Sequence, residues 1–154
     1  MHDPSIHVAD LVGPAVAALA FVCIMSFVYE PTRRQLNAIL AAGAVAAYLS
    51  GGFGVWEVAY PVVAGPIAYL GLRSHRYIGI AWLMHAGWDI LHHLYGNPIW
   101  PFLPRSSFGC MIFDAAIAVW FLAGAPSLVG RGEAMAPGSA RPGRAAGGTH
   151  AAAR

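Results

Sequence analysis

Apolar runs at residues 8–29, 36–50, 53–72, 77–95 and 108–129 fill most of this chain. Most approach the ~20 residues a helix needs to cross a bilayer. Of the 154 residues, 58% are hydrophobic and only 10% charged, against about 25% charged in an ordinary globular domain. Hydrocarbon offers no partner to a bare peptide group, so such runs are expected to form helices. The expected fold is all-α: a polytopic membrane bundle of five transmembrane helices. The second run is the shortest unless Gly51 and Gly52 extend it, and a four-span bundle with a re-entrant second segment is the alternative.

Arginine placement sets the orientation. Arg33 and Arg34 follow the first run, Arg73 and Arg76 the third, and Arg131, Arg141, Arg144 and Arg154 the fifth, whereas the opposite side holds Arg105, Asp3 and Asp10. By the excess of positive charge in cytoplasmic loops, the N-terminus is outside and the C-terminus cytoplasmic. Met1-His2-Asp3 lacks the basic region of a signal peptide, so the first run is read as a retained span. Residues 1–129 are the transmembrane domain. Residues 130–154, an Ala/Gly/Pro/Arg mixture, are expected to be a disordered cytoplasmic tail. The net charge of +2 comes from arginine alone, without lysine. That composition points to a GC-rich bacterial genome, hence a multi-pass protein of the bacterial cytoplasmic membrane, and gives nucleic-acid binding no support. Cys23 and Cys110 fall toward opposite faces, too far apart to bridge.

Within the fourth run stand His85, Asp89, His92 and His93. Ionisable groups at bilayer depth cost about 2.5–3.5 kcal/mol each on insertion scales and mark functional sites. At about 100° per residue the four fall near 0°, 40°, −20° and 80°, one stripe about 100° wide. Steps of three and four residues bring neighbours together on a helix. His85 and His92 are nevertheless about 10 Å apart along the axis, too far to share one ion, so neighbouring spans must complete a site. Asp114 in the fifth run and Glu57 in the third stand at compatible depth.

Imidazole and carboxylate together suit a divalent metal, zinc first, with iron or manganese as alternatives. His85, Asp89, His92, His93 and Asp114 are the candidate ligands. Asp89 or Glu57 is the candidate base of a metal-dependent hydrolase acting on a lipid or small amphiphile, in which zinc lowers the pKa of a water toward ~7. Asp89 can instead orient a ligating imidazole. The same residues without metal make a proton relay or transport path, and a purely structural set of interhelical hydrogen bonds is the plainest reading. Expected partners are the lipid bilayer, a second copy, or a larger membrane complex to which the chain is an accessory subunit.

Other features are secondary. Pro61 and Pro66 are expected to kink the third helix near Glu57. Ala42, Gly43, Ala46 and Ala47 allow close helix packing. Residues 96–105, rich in proline and aromatics, form a stiff outer connection, read as an aromatic belt or as a lid over the site with Asn97 contributing. His75 is expected to be solvated, and His2 and His7 to lie on a mobile terminus.

The run Trp82-Leu83-Met84-His85-Ala86-Gly87-Trp88-Asp89-Ile90-Leu91-His92-His93-Leu94-Tyr95-Gly96-Asn97-Pro98, with Leu49-Ser50-Gly51-Gly52 and Arg73-Ser74-His75-Arg76-Tyr77-Ile78-Gly79 before it, resembles an uncharacterised family of small bacterial integral membrane proteins. That resemblance implies a membrane location and no particular reaction. In chemistry alone the chain is similar to the alkaline ceramidase and adiponectin-receptor-like hydrolases, which hold zinc between membrane helices through histidines, with an aspartate and a serine nearby. Here the spans number five rather than seven, and Ser106 and Ser107 stand only at the edge of the fifth. His85 to Asp89 and Glu30 to Arg34 are superficially similar to elements of the prenyl-protease-like membrane family. The expected topology puts these two elements on opposite faces.

Overall fold

The computed structural model describes residues 6–129 apart from 47, 49 and 50. Among these residues the fold is all-α, with five helices and no strand: α1 (Val8–Ser26), α2 (Thr32–Val45), α3 (Trp56–Leu70), α4 (His75–Tyr95) and α5 (Ser106–Leu122). The tail from residue 130, together with His2 and Asp3, lies outside the described residues.

Local chemistry sets several helix ends. The His7 N–H donates to the Asp10 carboxylate at 2.9 Å, an acid in the first turn of α1 that satisfies an orphan donor and complements the helix dipole. Ser74 caps α4, its hydroxyl accepting from the Arg76 N–H at 3.3 Å. Gly124, at φ +91°, ends α5 in the left-handed conformation that glycine adopts without strain. The chain then turns back to α1, where the Ser127 hydroxyl donates to the Ser26 carbonyl at 3.0 Å.

At 1.5 Å per residue α4 is about 32 Å long, α1 about 28 Å and α5 about 26 Å, but α2 and α3 only about 21 and 22 Å. α1 is the one described helix that is by itself long and apolar enough to cross a membrane; α5 is apolar but shorter. Within the second apolar run, α2 stops at Val45 with Ala46 as its C-cap. Tyr48, beyond that end, is buried. Pro61 and Pro66 both lie inside α3, which stays continuous through them.

α4 is the central helix, packed against α5, α3 and α2, while α5 also carries α1. The α1–α2 and α3–α4 turns meet at one end. There Arg34 Nε donates to the Leu72 carbonyl at 3.1 Å, and Glu30 Oε1 receives Arg33 Nε at 2.9 Å and stands 2.8 Å from His75 Nε2. His75, expected to be merely solvated, thus ties α4 to the α1–α2 turn. At the opposite end Arg105 pairs with Asp10, and Asn97 Nδ2 donates to the Gly51 carbonyl at 3.2 Å.

Toward the arginine end Ala38, Ala68, Ile78, Ile117, Ala118 and Phe121 are buried in a tightly packed apolar core, at whose edge α2 also buries Arg33 and Asn37. A Cβ on Gly79 would come within 2.7 Å of Leu122 Cγ and 3.0 Å of the Ala118 carbonyl. α4 and α5 therefore approach backbone to backbone, which only a small residue permits. The outward faces are also apolar: Val12, Val16 and Leu19 on α1, Val62 and Val63 on α3, and Leu83 and Ile90 on α4 are exposed. Cys23 and Cys110 are both free thiols.

Candidate metal centre

The half of the bundle away from Arg33, Arg34, Arg73 and Arg76 holds the buried His, Asp and Glu cluster. α4 turns one face inward, so that His85, Asp89 and His92 are 3%, 0% and 1% exposed. α5 presents Asp114 across the α4–α5 interface, and the first turn of α3 presents Glu57; both are buried. His93 departs from the stripe expected of it. It is half-buried and packs on Phe108, ring centres 5.1 Å apart, because a position 80° round the helix from His85 falls at the edge of the buried face rather than on it.

The buried groups sort into two tiers. In the deeper one, a ligand atom from each of His85, Asp89 and Asp114 lies within 4.8 Å of the others. His85 and Asp89 are one turn apart on α4, and Asp114 closes the group from α5. Two carboxylates this near each other and shut off from water repel strongly, so a proton or a cation must lie between them. Apart from the Asp114 carboxyl, which can share a proton with Asp89, no group among the described residues partners Asp89 Oδ2 or His85 Nδ1. These unpartnered buried atoms on α4, facing the Asp114 carboxylate on α5, fit the donor set of a small divalent cation. The first-row transition ions match this mixture of nitrogen and oxygen. His92 stands outside the trio, in keeping with the axial separation from His85.

In the outer tier, His92 Nε2 lies 3.3 Å from Glu57 Oε1. Nδ1 of the same ring stands 3.2 Å from the Asn97 carbonyl; a carbonyl accepts only, so Nδ1 carries the proton and donates. Glu57 Oε1 also accepts the Phe53 N–H at 3.0 Å, while Oε2 has no partner. The connection after α4 accordingly meets this tier through Asn97, whose carbonyl stands against His92 Nδ1 and whose Nδ2 donates to the Gly51 carbonyl.

Tyr48 links the tiers, and sequence reasoning missed it. Its ring stacks on His92, centres 3.8 Å apart and planes at 15°. Its hydroxyl stands 2.7 Å from Asp89 Oδ1 and 2.8 Å from Ser107 Oγ. A phenol has one proton; given to the carboxylate, it leaves the oxygen to accept from Ser107, whose own oxygen accepts the Ile99 N–H at 3.2 Å. Ser107, fully buried, thus enters the site from the first turn of α5. The sequence signal for it was the pair of serines opening the fifth apolar run. For Tyr48 there was only a hydroxyl-bearing aromatic beside Gly51-Gly52, because its contacts depend on α2 ending early.

Two cavities flank the centre. One, of about 350 Å³, lies between the outer halves of α1 and α5, with Asp10 and Arg105 among its lining and Pro14, Phe113 and Cys110 on its walls. Cys110 is one helical turn before Asp114. The other, about 400 Å³ and wholly apolar, is lined by Phe53, Trp56, Trp88, Leu91 and Tyr95.

No curated protein and no solved structure matches this chain. The profile of one family matches from residue 9 to residue 127 and so takes in all five helices and both tiers of the site. On that match the chain belongs to the family of unknown function DUF6010.

Proposed function

We propose that this protein is a multi-pass helical protein of the bacterial cytoplasmic membrane that binds a divalent metal ion, zinc by preference, at His85, Asp89 and Asp114. The observation that carries the reading is the convergence of these three buried groups within 4.8 Å, with Asp89 Oδ2 and His85 Nδ1 given no partner from outside the trio. Outward-facing Val, Leu and Ile on α1, α3 and α4 support a lipid environment. In the five-span arrangement the N-terminus is outside, the arginine end cytoplasmic, and the site in the outer half of the bilayer. Beyond the short α2, Tyr48 is buried in protein. A reporter fused after Arg154 should be active only as a cytoplasmic fusion; an external signal would reject this orientation.

The enzymatic form of the proposal is a hydrolase of a lipid or small amphiphile. Its support is the cleft between α1 and α5, apolar along its walls, charged where Asp10 and Arg105 line it, and reaching Cys110 beside Asp114. A bound ion would supply Lewis acidity and a water of lowered pKa. Asp89 would hold that ion or position His85, while Tyr48 fixes Asp89 through its hydroxyl. Glu57, in the outer tier, is the candidate base. The rival reading, a proton path without metal, draws on the hydrogen-bonded series Ser107, Tyr48, Asp89.

Metal analysis decides between them. Protein purified in detergent and equilibrated with zinc should retain it, and Asp114→Asn and Asp89→Asn should lose the ion at the deeper tier while keeping their helical content. Wild-type protein that retains no transition metal would reject the metal reading, and pH-driven flux in metal-free vesicles would then favour the proton path.

A further inference from the structure

We propose a second divalent-ion site, distinct from the deeper trio, formed by His92 Nε2 and the Glu57 carboxylate; it builds on the metal reading above and extends it from one ion to two. The side chains are 0% and 4% exposed and come from different helices. The Asn97 carbonyl takes the Nδ1 proton, so in the neutral ring the Nε2 lone pair faces Glu57 Oε1 at 3.3 Å, acceptor against acceptor. Such a contact in a buried site is repulsive unless something positive occupies it. A proton on Nε2 would turn the contact into an ion pair, but Oε2 would still have no partner. A metal ion accepts both donors at once.

The surroundings hold the ring in place. Tyr48 stacks on one face of His92, Phe53 and Trp88 meet it edge-on at 4.7 and 5.3 Å, and a Cβ on Gly96 would come within 2.7 Å of Nδ1. Gly51 admits the close approach of the two donors, because a Cβ there would stand 2.5 Å from Glu57 Oε1 and 2.6 Å from His92 Cε1. A ring locked by packing, with its far nitrogen bonded to a backbone carbonyl, is how proteins fix the tautomer of a ligating histidine. Two protein donors leave the remaining coordination positions to water, which suits a site that exchanges its ion more readily than the trio.

The test is the zinc-to-protein ratio of detergent-purified full-length protein after zinc loading and removal of excess, with cobalt substitution as an optical readout. Wild type should hold two ions, Glu57→Gln and His92→Phe one each, Asp114→Asn one, and Glu57→Gln combined with Asp114→Asn none. The glutamine keeps the acceptor for the Phe53 N–H and the phenyl ring keeps the stack on Tyr48, and helical content by circular dichroism checks that each variant folds. Cobalt bands should fall by part in each single variant, with different spectral positions remaining. A wild-type ratio of one that Glu57→Gln leaves unchanged would overturn the second site and leave the first standing. Loss of all metal in Glu57→Gln would also overturn it, by showing one shared site, and a wild-type ratio of zero would overturn both proposals.

Discussion

The arginine-end half of the bundle and its opposite half are built from the same helices on opposed principles. Toward the arginines, α4 and α5 meet through Gly79, Ala81, Ala118 and Phe121, apolar groups whose stability comes from close contact. One to two turns further along, the same pair of helices presents His85, Asp89 and Asp114, whose proximity costs energy unless a cation or proton neutralises it. The first half can therefore hold the second in a geometry the second would not adopt alone. Strain at a functional site persists where the surrounding packing over-determines it.

The sharpest way to break the comparison is Asp114→Asn. If the polar half is a metal centre, this change should remove the ion of the deeper tier entirely while the apolar half keeps its helical content, read by metal analysis beside circular dichroism. Phe121→Ala attacks the other half. Emptying a fully buried aromatic position should cost about 3–5 kcal/mol, seen as a lower unfolding midpoint in detergent, with metal content of the folded fraction unchanged. Should Phe121→Ala strip metal as readily as Asp114→Asn does, the two halves are not separable.

A finer probe is Tyr48→Phe, which keeps the stack on His92 but removes the hydroxyl that holds Asp89 Oδ1. Loss of an outer-shell partner of this kind weakens metal affinity by about 10–100-fold, measurable by competition with a chromophoric chelator. Equal affinity in wild type and Tyr48→Phe would show that Asp89 needs no positioning.

The smallest expected effect lies at the arginine end itself. Burial tends to raise the Glu30 carboxyl, but its hydrogen bond from Arg33 and the neighbouring His75 outweigh that and hold it below the ordinary 4.5. A depressed carboxyl contributes stability above its unfolded value and loses it as pH falls through the folded one. Glu30→Gln should thus lower the unfolding midpoint slightly at pH 7, by the 0.2–1 kcal/mol or so of an exposed ion pair. The difference from wild type should vanish as pH drops below about 4.5 and into the folded value, and a difference that persists there would mean the pair contributes nothing through charge.

Much of the polar half was legible before any coordinates. Spacing of four and three on one helix put His85, Asp89 and His92 on a shared face, and the helix geometry that excluded His85 and His92 from one ion is the reason they occupy separate tiers. Asp114 and Glu57 were legible as acids in apolar surroundings, though not which imidazole each would meet. His93 was misplaced by the same wheel, since a difference of 80° separates a buried position from a boundary one only when the neighbours are known. The extent of α2 was illegible too: residues 46–50 are as apolar as a helix interior, and tertiary contacts rather than local propensity draw Tyr48 inward.

By itself the chain's order of residues determined an all-helical fold, its approximate helix positions and the face of α4 that carries chemistry, because helical period and apolar runs are local properties. Pairing His85 and Asp89 with Asp114, and His92 with Glu57, was decided only in three dimensions, along with the parts of Tyr48, Ser107 and Asn97. Those contacts join residues 5 to 59 positions apart, across helix ends and interfaces, and no periodicity within one segment encodes them.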